Sequence, residues 1–185
     1  MKLSVIKPID AEYPQRLLER LGERAPKSLT TAGDIALLFQ PKTALFCSAR
    51  CASDKMLSAC EAVRKLRDNG VTVISGFHSP VEKKSLQILL KGNQPIIICL
   101  ARALEKIRVP SGWREPLESG RMLLLSRFDK SRRADKDTAR RRNELVAALA
   151  DEALIIYAEQ GGGIEKISAM IDQWLIPKID LAKGL

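Results

Sequence analysis

The chain has 185 residues, 45% hydrophobic and 29% charged, the balance of a folded protein with one core and too short for two large domains. Its formal net charge of +9 favours a polyanionic partner, nucleic acid ahead of an anionic membrane surface. No apolar run is long enough to span a bilayer and no secretory segment opens the chain, so neither a membrane-spanning helix nor export is expected, and a cytoplasmic setting is. The four cysteines, Cys47, Cys51, Cys60 and Cys99, lack the spacing of a disulfide framework or a zinc site, and His78 is the one histidine. Neither a metal nor another cofactor is expected.

Residues 1–40 read as a small helical N-terminal extension. Tyr13-Pro14 opens a helix with Leu17, Leu18 and Leu21 on one face, and Pro26 ends it. Residues 29–33 read as a turn and 35–39 as a short apolar segment, before Pro41-Lys42 punctuates the chain.

From Thr43 the period changes. Residues 43–47 form a short apolar run suited to a buried parallel strand. Ser53 stands where it can cap a helix whose apolar positions are Met56, Ala59, Cys60, Val63 and Leu66, and Asn69-Gly70 closes it. A second strand at 71–74 leads to Ser79-Pro80-Val81-Glu82, a capping box with proline at the first helical position. That helix carries Leu86, Leu89 and Leu90 and stops at Gly92, and residues 95–100 give a third strand. In the irregular stretch that follows, 101–107 and 113–119 read as short helices around the breakers Pro110 and Gly112. Residues 121–126 read as a fourth strand, followed by a charged loop.

Arg140-Arg141-Arg142-Asn143 reads as the entry to a helix carrying Leu145, Val146 and Leu149, which empties into a fifth strand at 153–157. Cations in a first helical turn oppose the macrodipole, and the unpaired N–H groups there attract anions. A charge run is more often a solvated face, but several loops converge here. Gly161-Gly162-Gly163 starts a last helix with Ile164, Ile167, Ile171 and Trp174 on one side, and residues 178–185 read as a tail.

Strands alternating with helices imply a three-layer Rossmann-like α/β fold over residues 41–177, with a mostly parallel sheet. Ligands in such sheets bind outside the carboxyl ends of the strands. The loops leaving those ends hold Ser48, Arg50, Ser53, Ser75, Gly76, Arg127 and Gly161 to Gly163, and Arg141, Arg142 and Asn143 join them from the helix. Small residues let a backbone approach a phosphate, and the arginines supply charge.

These segments, in this order, resemble the DprA/Smf family of DNA-processing proteins, which is similar to the LOG nucleotide phosphoribohydrolases in a wider Rossmann-like group. The opening Tyr13-Pro14…Leu17…Pro26…Leu29…Gly33 resembles the family's YP…L…P…L…G. Ser48-Ala49-Arg50-Cys51-Ala52-Ser53 stands where the family has GSR-x-x-S, and Ser75 to Glu82 where it has SG-L-A-x-G-I-D. Arg142 to Asp151 is similar to RNRIIAGLSD. The departures are Ser48-Ala49 for glycine-serine, Pro80 and Glu82 for the glycine and aspartate of GID, and Glu144 for the last arginine of RNR. The resemblance implies single-stranded DNA binding in a basic pocket, in DNA processing, recombination or transformation. It assigns Arg50, Ser75, Gly76, Arg142 and Asn143 to that pocket and implies a recombinase and a second copy of the chain as further partners. It also implies a short form without a C-terminal winged-helix domain.

Phe77 and Phe128 are the aromatic residues best placed to stack on bases, and Trp174 reads as a packing residue. The alternative readings are a nucleotide-hydrolysing enzyme and a nucleotide-sensing module, each with a nucleotide as ligand. Gly161-Gly162-Gly163-Ile164-Glu165 resembles the LOG phosphate loop, with Gln160 in place of its proline. Glu82, Glu159 and Glu165 would be the candidate carboxylates. Binding is expected rather than catalysis, because an acid beside a glycine turn more often caps a helix.

Overall fold

The computed structural model describes residues 2–52, 55–105, 107–130 and 133–181. In chain order they form β1 (Ser4–Ile6), α1 (Arg16–Leu21), β2 (Leu29–Gly33), β3 (Lys42–Cys47), α2 (Lys55–Asp68), β4 (Thr72–Ser75), α3 (Pro80–Leu89), β5 (Ile96–Leu100), α4 (Arg114–Glu118), β6 (Met122–Ser126), α5 (Lys136–Leu149), β7 (Glu152–Tyr157), α6 (Gly163–Gln173) and β8 (Lys178–Asp180). All eight strands share one sheet, ordered β1, β2, β6, β5, β4, β3, β7, β8 from edge to edge. The β1–β2 and β2–β6 pairings are antiparallel and every other pairing is parallel. This is the expected three-layer, mostly parallel architecture.

The central strands are buried on both faces, so they read as apolar runs rather than alternations. The period of two is still present in what each side chain meets. Ala44, Phe46, Ile97, Cys99, Leu123 and Leu125 face a core shared with α1, α5 and α6. Leu45, Cys47, Ile96, Ile98, Met122 and Leu124 face a second core under α2 and α3. Helix boundaries follow local chemistry. Ser79 and Glu82 close a reciprocal capping box with Pro80 in the first turn of α3. Gly70, at φ +70°, ends α2 while the Val71 N–H reaches back to the Leu66 carbonyl at 2.9 Å.

Four sequence expectations are corrected. Residues 29–33 form β2 rather than a turn, and with β1 they extend the sheet. The N-terminal segment is therefore not only helical. Thr30 and Thr31 give no apolar run; the strand exists because it pairs with Ser126 and Leu125 far along the chain. The presumed tail contributes β8, with Leu154 opposite Ile179. Residues 101–107 form bends and turns where they are described, rather than a helix.

The fourth correction concerns the basic cluster. α5 begins at Lys136, capped by Asp135, whose carboxylate accepts the Thr138 N–H at 2.7 Å while Thr138 Oγ1 accepts the Asp135 N–H at 2.8 Å. Arg140, Arg141 and Arg142 therefore lie beyond the first turn. Asp135 and Thr138 cap the helix N-terminus two residues ahead of Arg140, and the macrodipole argument does not apply to these arginines.

Candidate functional site

The carboxyl ends of the five central parallel strands lie along one margin of the sheet. In strand order they release the loops beginning at Arg127, Ala101, Gly76, Ser48 and Ala158. α5 starts at the same margin, which brings its second turn over the middle of the row.

Arg142 is the centre of the arrangement. It is 5% exposed, and its guanidinium lies directly over Gly76, where a Cβ would overlap it. Its Nε donates to Asn143 Oδ1 at 2.8 Å. Burial pushes its pKa down, against the weaker pull of Glu82 and the Cys99 thiol. Among the described residues no carboxylate pairs with it at ion-pair distance. Glu82, itself buried, acts on the guanidinium only through space, and a bound anion would add a direct partner for the buried cation.

The turn beneath Arg142 is held from below. Ser75 Oγ donates to the Leu45 carbonyl at 2.8 Å and accepts the Phe77 N–H at 3.3 Å. Phe77 takes φ +47°, a conformation that few side chains adopt, and its ring is buried in the core. Glu82 fixes the rest of the turn: Oε1 accepts the Cys47 N–H at 3.1 Å, and Oε2 accepts those of His78 and Ser79 at 2.8 and 3.0 Å. The extra methylene of glutamate lets one carboxylate reach three amides on two strand ends. Its oxygens are engaged and buried, so Glu82 is a clamp rather than a free general base.

On one flank Ser48 Oγ accepts the Glu159 N–H at 2.9 Å, joining the loops after β3 and β7. Arg50 extends into solvent, 3.8 Å from Glu159. Gly161 takes φ +69° and donates its N–H to Glu165 Oε2, while Gly162 packs so closely on the Glu159 carbonyl that a Cβ would crowd it. Gly163 opens α6 with free space beside it. Ser53, the expected cap of α2, lies outside the described residues. Glu159 and Glu165 both serve this loop junction.

On the other flank Arg127 works as a bracket. It donates to the carbonyls of Arg141 (3.2 Å) and Arg24 (2.7 Å), and burial pushes its pKa down. Arg141 stacks over Phe128, 5.2 Å from the ring centre. Arg140 is bound to Asp137 and Glu144, each at 2.6 Å. The groove here also contains Arg24 and Lys27, but Glu23, Asp129 and Glu144 line it too. Much of its charge is internally compensated.

The structure thus brings Gly76, Arg142 and Asn143 together with Ser75 as support, sets Ser48, Arg50 and Gly161 to Gly163 on one side, and leaves Arg127 and Arg141 on the other. Phe77 and Phe128 are both buried, rather than standing free to stack on a base as expected, and Phe77 contributes to the wall of a cleft. Sequence reasoning missed a cleft of about 570 Å³ in front of Arg142, between α3 and the irregular 101–113 stretch. Lys83, Gln87, Arg102 and Trp113 line it. No periodicity marks those residues. The one available signal was a tryptophan between chain breakers, near an arginine-rich loop.

No helix among the described residues is long and apolar enough to cross a membrane. No curated protein matches the chain at a significant level. Among solved structures, DNA processing protein A from Helicobacter pylori, described by its single-stranded DNA binding mode, superposes with a TM-score of 0.74 at 23% identity, over 96% of this chain and 79% of that one. The Streptococcus pneumoniae protein gives 0.73 at 20% identity over 91% of this chain, which spans 60% of that chain's length. A molybdenum cofactor binding protein from Rippkaea orientalis gives 0.53 at 13% identity, over 77% of this chain and 79% of that one. At these identities the likeness is one of fold. The sequence profile of the family described as DNA recombination-mediator protein A matches residues 4–172, and the chain belongs to that family.

Proposed function

We propose that this protein binds single-stranded DNA along the carboxyl margin of its sheet, with a backbone phosphate on Arg142. The observation that carries the reading is a nearly buried guanidinium, over a glycine, that no described carboxylate meets at ion-pair distance. Arg50 and Arg141 flank it and meet neighbouring phosphates, while Ser48 and the 161–163 glycines shape the loop on the Arg50 side. Family membership supports the DNA-processing setting, and the Helicobacter pylori relative supports the single-stranded ligand. The net charge of +9 adds long-range attraction.

The test is fluorescence anisotropy with labelled single-stranded and duplex DNA across a salt series. Single strands are expected to bind more tightly, with a log–log slope near ~0.7 per phosphate contact. Arg142→Ala should weaken binding about tenfold or more, the scale of a lost charge-assisted hydrogen bond. Binding that ignores both salt and the Arg142 substitution would remove the assignment.

A further inference from the structure

β3 ends at Cys47, and the loop that leaves it folds back beside that residue at Cys51. Cys47 is 3% exposed and faces the core under α2 and α3. Cys51 is half-buried and packs against the same core from the surface side. The two thiols lie within hydrogen-bonding reach of each other. We propose that they form a reversible disulfide, in which Cys51 meets a small-molecule disulfide and Cys47 resolves the adduct. The ring so closed contains Ser48, Ala49 and Arg50. Its effect on DNA rests on the single-stranded DNA reading, because Arg50 is one of the proposed phosphate contacts; the disulfide itself does not.

Access sets the order of steps. Burial, with Cys51 and the Glu82 carboxylate adding to it, holds the Cys47 thiol protonated, so the reaction opens at Cys51. The Cys51 thiolate attacks one sulfur of the reagent, forming a mixed disulfide and releasing the other half as a thiolate. Cys47 then attacks the Cys51 sulfur, and its proton passes to the second departing thiolate. Two protein thiols are oxidised by two electrons, and one small-molecule disulfide is reduced to two thiols. The Ser79 hydroxyl lies within hydrogen-bonding reach of the Cys47 sulfur and favours its thiolate in the second step. Cys99 faces the other core, across the sheet. The frame around the pair decides what moves. The Cys47 N–H is held by Glu82 at 3.1 Å. Ser48 is held twice, by its N–H on the Tyr157 carbonyl and by its Oγ on the Glu159 N–H, each at 2.9 Å. Drawing Cys51 in to bonding distance is therefore absorbed at Ala49 and Arg50. The Arg50 side chain, 89% exposed in the reduced form, is pulled back from the margin and loses its phosphate.

The experiment treats the full chain, reduced and then freed of reductant, with glutathione disulfide. The product is digested with trypsin without reduction and mapped by mass. Trypsin cuts after Arg50, between the two cysteines, so the disulfide should appear as peptides 43–50 and 51–55 joined, with two hydrogens lost. Cys47→Ala should stop at a glutathione adduct on Cys51, and Cys51→Ser should leave Cys47 unmodified. A lasting adduct on Cys51 of the unaltered protein, a bond from Cys51 to Cys60, or no reaction at Cys51 would overturn the pair. Anisotropy then compares the two redox forms. Oxidation should lower the single-strand salt slope by about 0.7, one phosphate contact, and a reductant should restore it. Arg50→Ala should show no such change on oxidation. An unaltered slope in the oxidised protein would overturn the link to Arg50 and leave the disulfide standing. If neither form binds single strands at low salt, the DNA reading falls and takes that link with it, while the joined peptides still decide the disulfide.

Discussion

A single missing side chain decides the geometry of the site. Position 76 must be glycine because the Arg142 guanidinium occupies the space a Cβ would take. Gly76→Ala therefore acts on the arginine rather than on the turn, whose amides are held independently by Ser75 and Glu82. The expected outcome is that Gly76→Ala and Arg142→Ala each weaken single-stranded DNA binding by about tenfold or more, and that the double variant is no weaker than either alone. Additive losses in that cycle would mean that Gly76 contributes by another route. The cysteines give a second prediction at this scale. Burial and the neighbouring Cys51 push the Cys47 thiol up, and burial pushes Cys99 up to about 12. Cys51 is half-buried at the surface, while Cys60 is buried. A thiol-reactive dye should label Cys51 first and the other three only on unfolding; fast labelling that survives Cys51→Ser would contradict this.

Elements show where sequence reading succeeds and where it stops. The capping box at Ser79 and the breaker at Gly70 were legible because each is local and follows a common pattern. The start of α5 was not, since threonine stands at the position where a capping box usually has glutamate or glutamine. Read from local pattern alone, the helix therefore starts too late, and the arginines fall at a helix terminus they do not occupy. β2 and β8 were illegible for a different reason: their pairing partners are distant in sequence or lie at a sheet edge, and nothing local marks either as a strand. The site was legible as a set of loops, but not in its division of labour between Arg142, the bracket Arg127 and the clamp Glu82. Thr138→Ala removes half of the α5 cap and should cost about 1 kcal/mol, read as a lower Tm.

The other end of α5 carries a pH prediction. Arg16 and Arg20 donate to the carbonyls of Ala148, Leu149 and Ala150, and Asp151 joins Arg16 to Lys42. Burial raises the Asp151 pKa, but the Arg16 hydrogen bond, the Lys42 amide and both cations outweigh it and hold the carboxyl below the usual range. A depressed folded-state pKa gives stability that is present above the unfolded value, about 3.9 for aspartate. That stability is lost as pH falls through the folded value. Urea midpoints should therefore fall below about pH 4 in the unaltered protein. Asp151→Asn should lower the midpoint at neutral pH and flatten its acid dependence; an unchanged acid slope would assign that dependence to other carboxylates.

At the scale of the whole molecule, the question is whether the margin or the overall charge attracts DNA. A formal charge of +9 would draw any polyanion weakly, to any face. The fold separates the two explanations because its basic residues lie at both ends of the strands. Arg50 and Arg142 stand at the carboxyl margin, whereas Lys65 near the end of α2 and Lys91 just after α3 lie at the opposite margin, exposed and close to the starts of β4 and β5. Replacing either pair with neutral residues lowers the formal net charge equally. If the margin is the site, Arg50→Ala with Arg142→Ala should lower the single-strand salt slope by about 1.4, two phosphate contacts at ~0.7 each. Lys65→Gln with Lys91→Gln should leave the slope unchanged and shift affinity only slightly through the long-range field. Equal losses from the two pairs would mean that DNA reads net charge and not a site. A loss confined to the first pair would tie binding to the row of loops that the parallel sheet gathers at one end, around the buried Arg142.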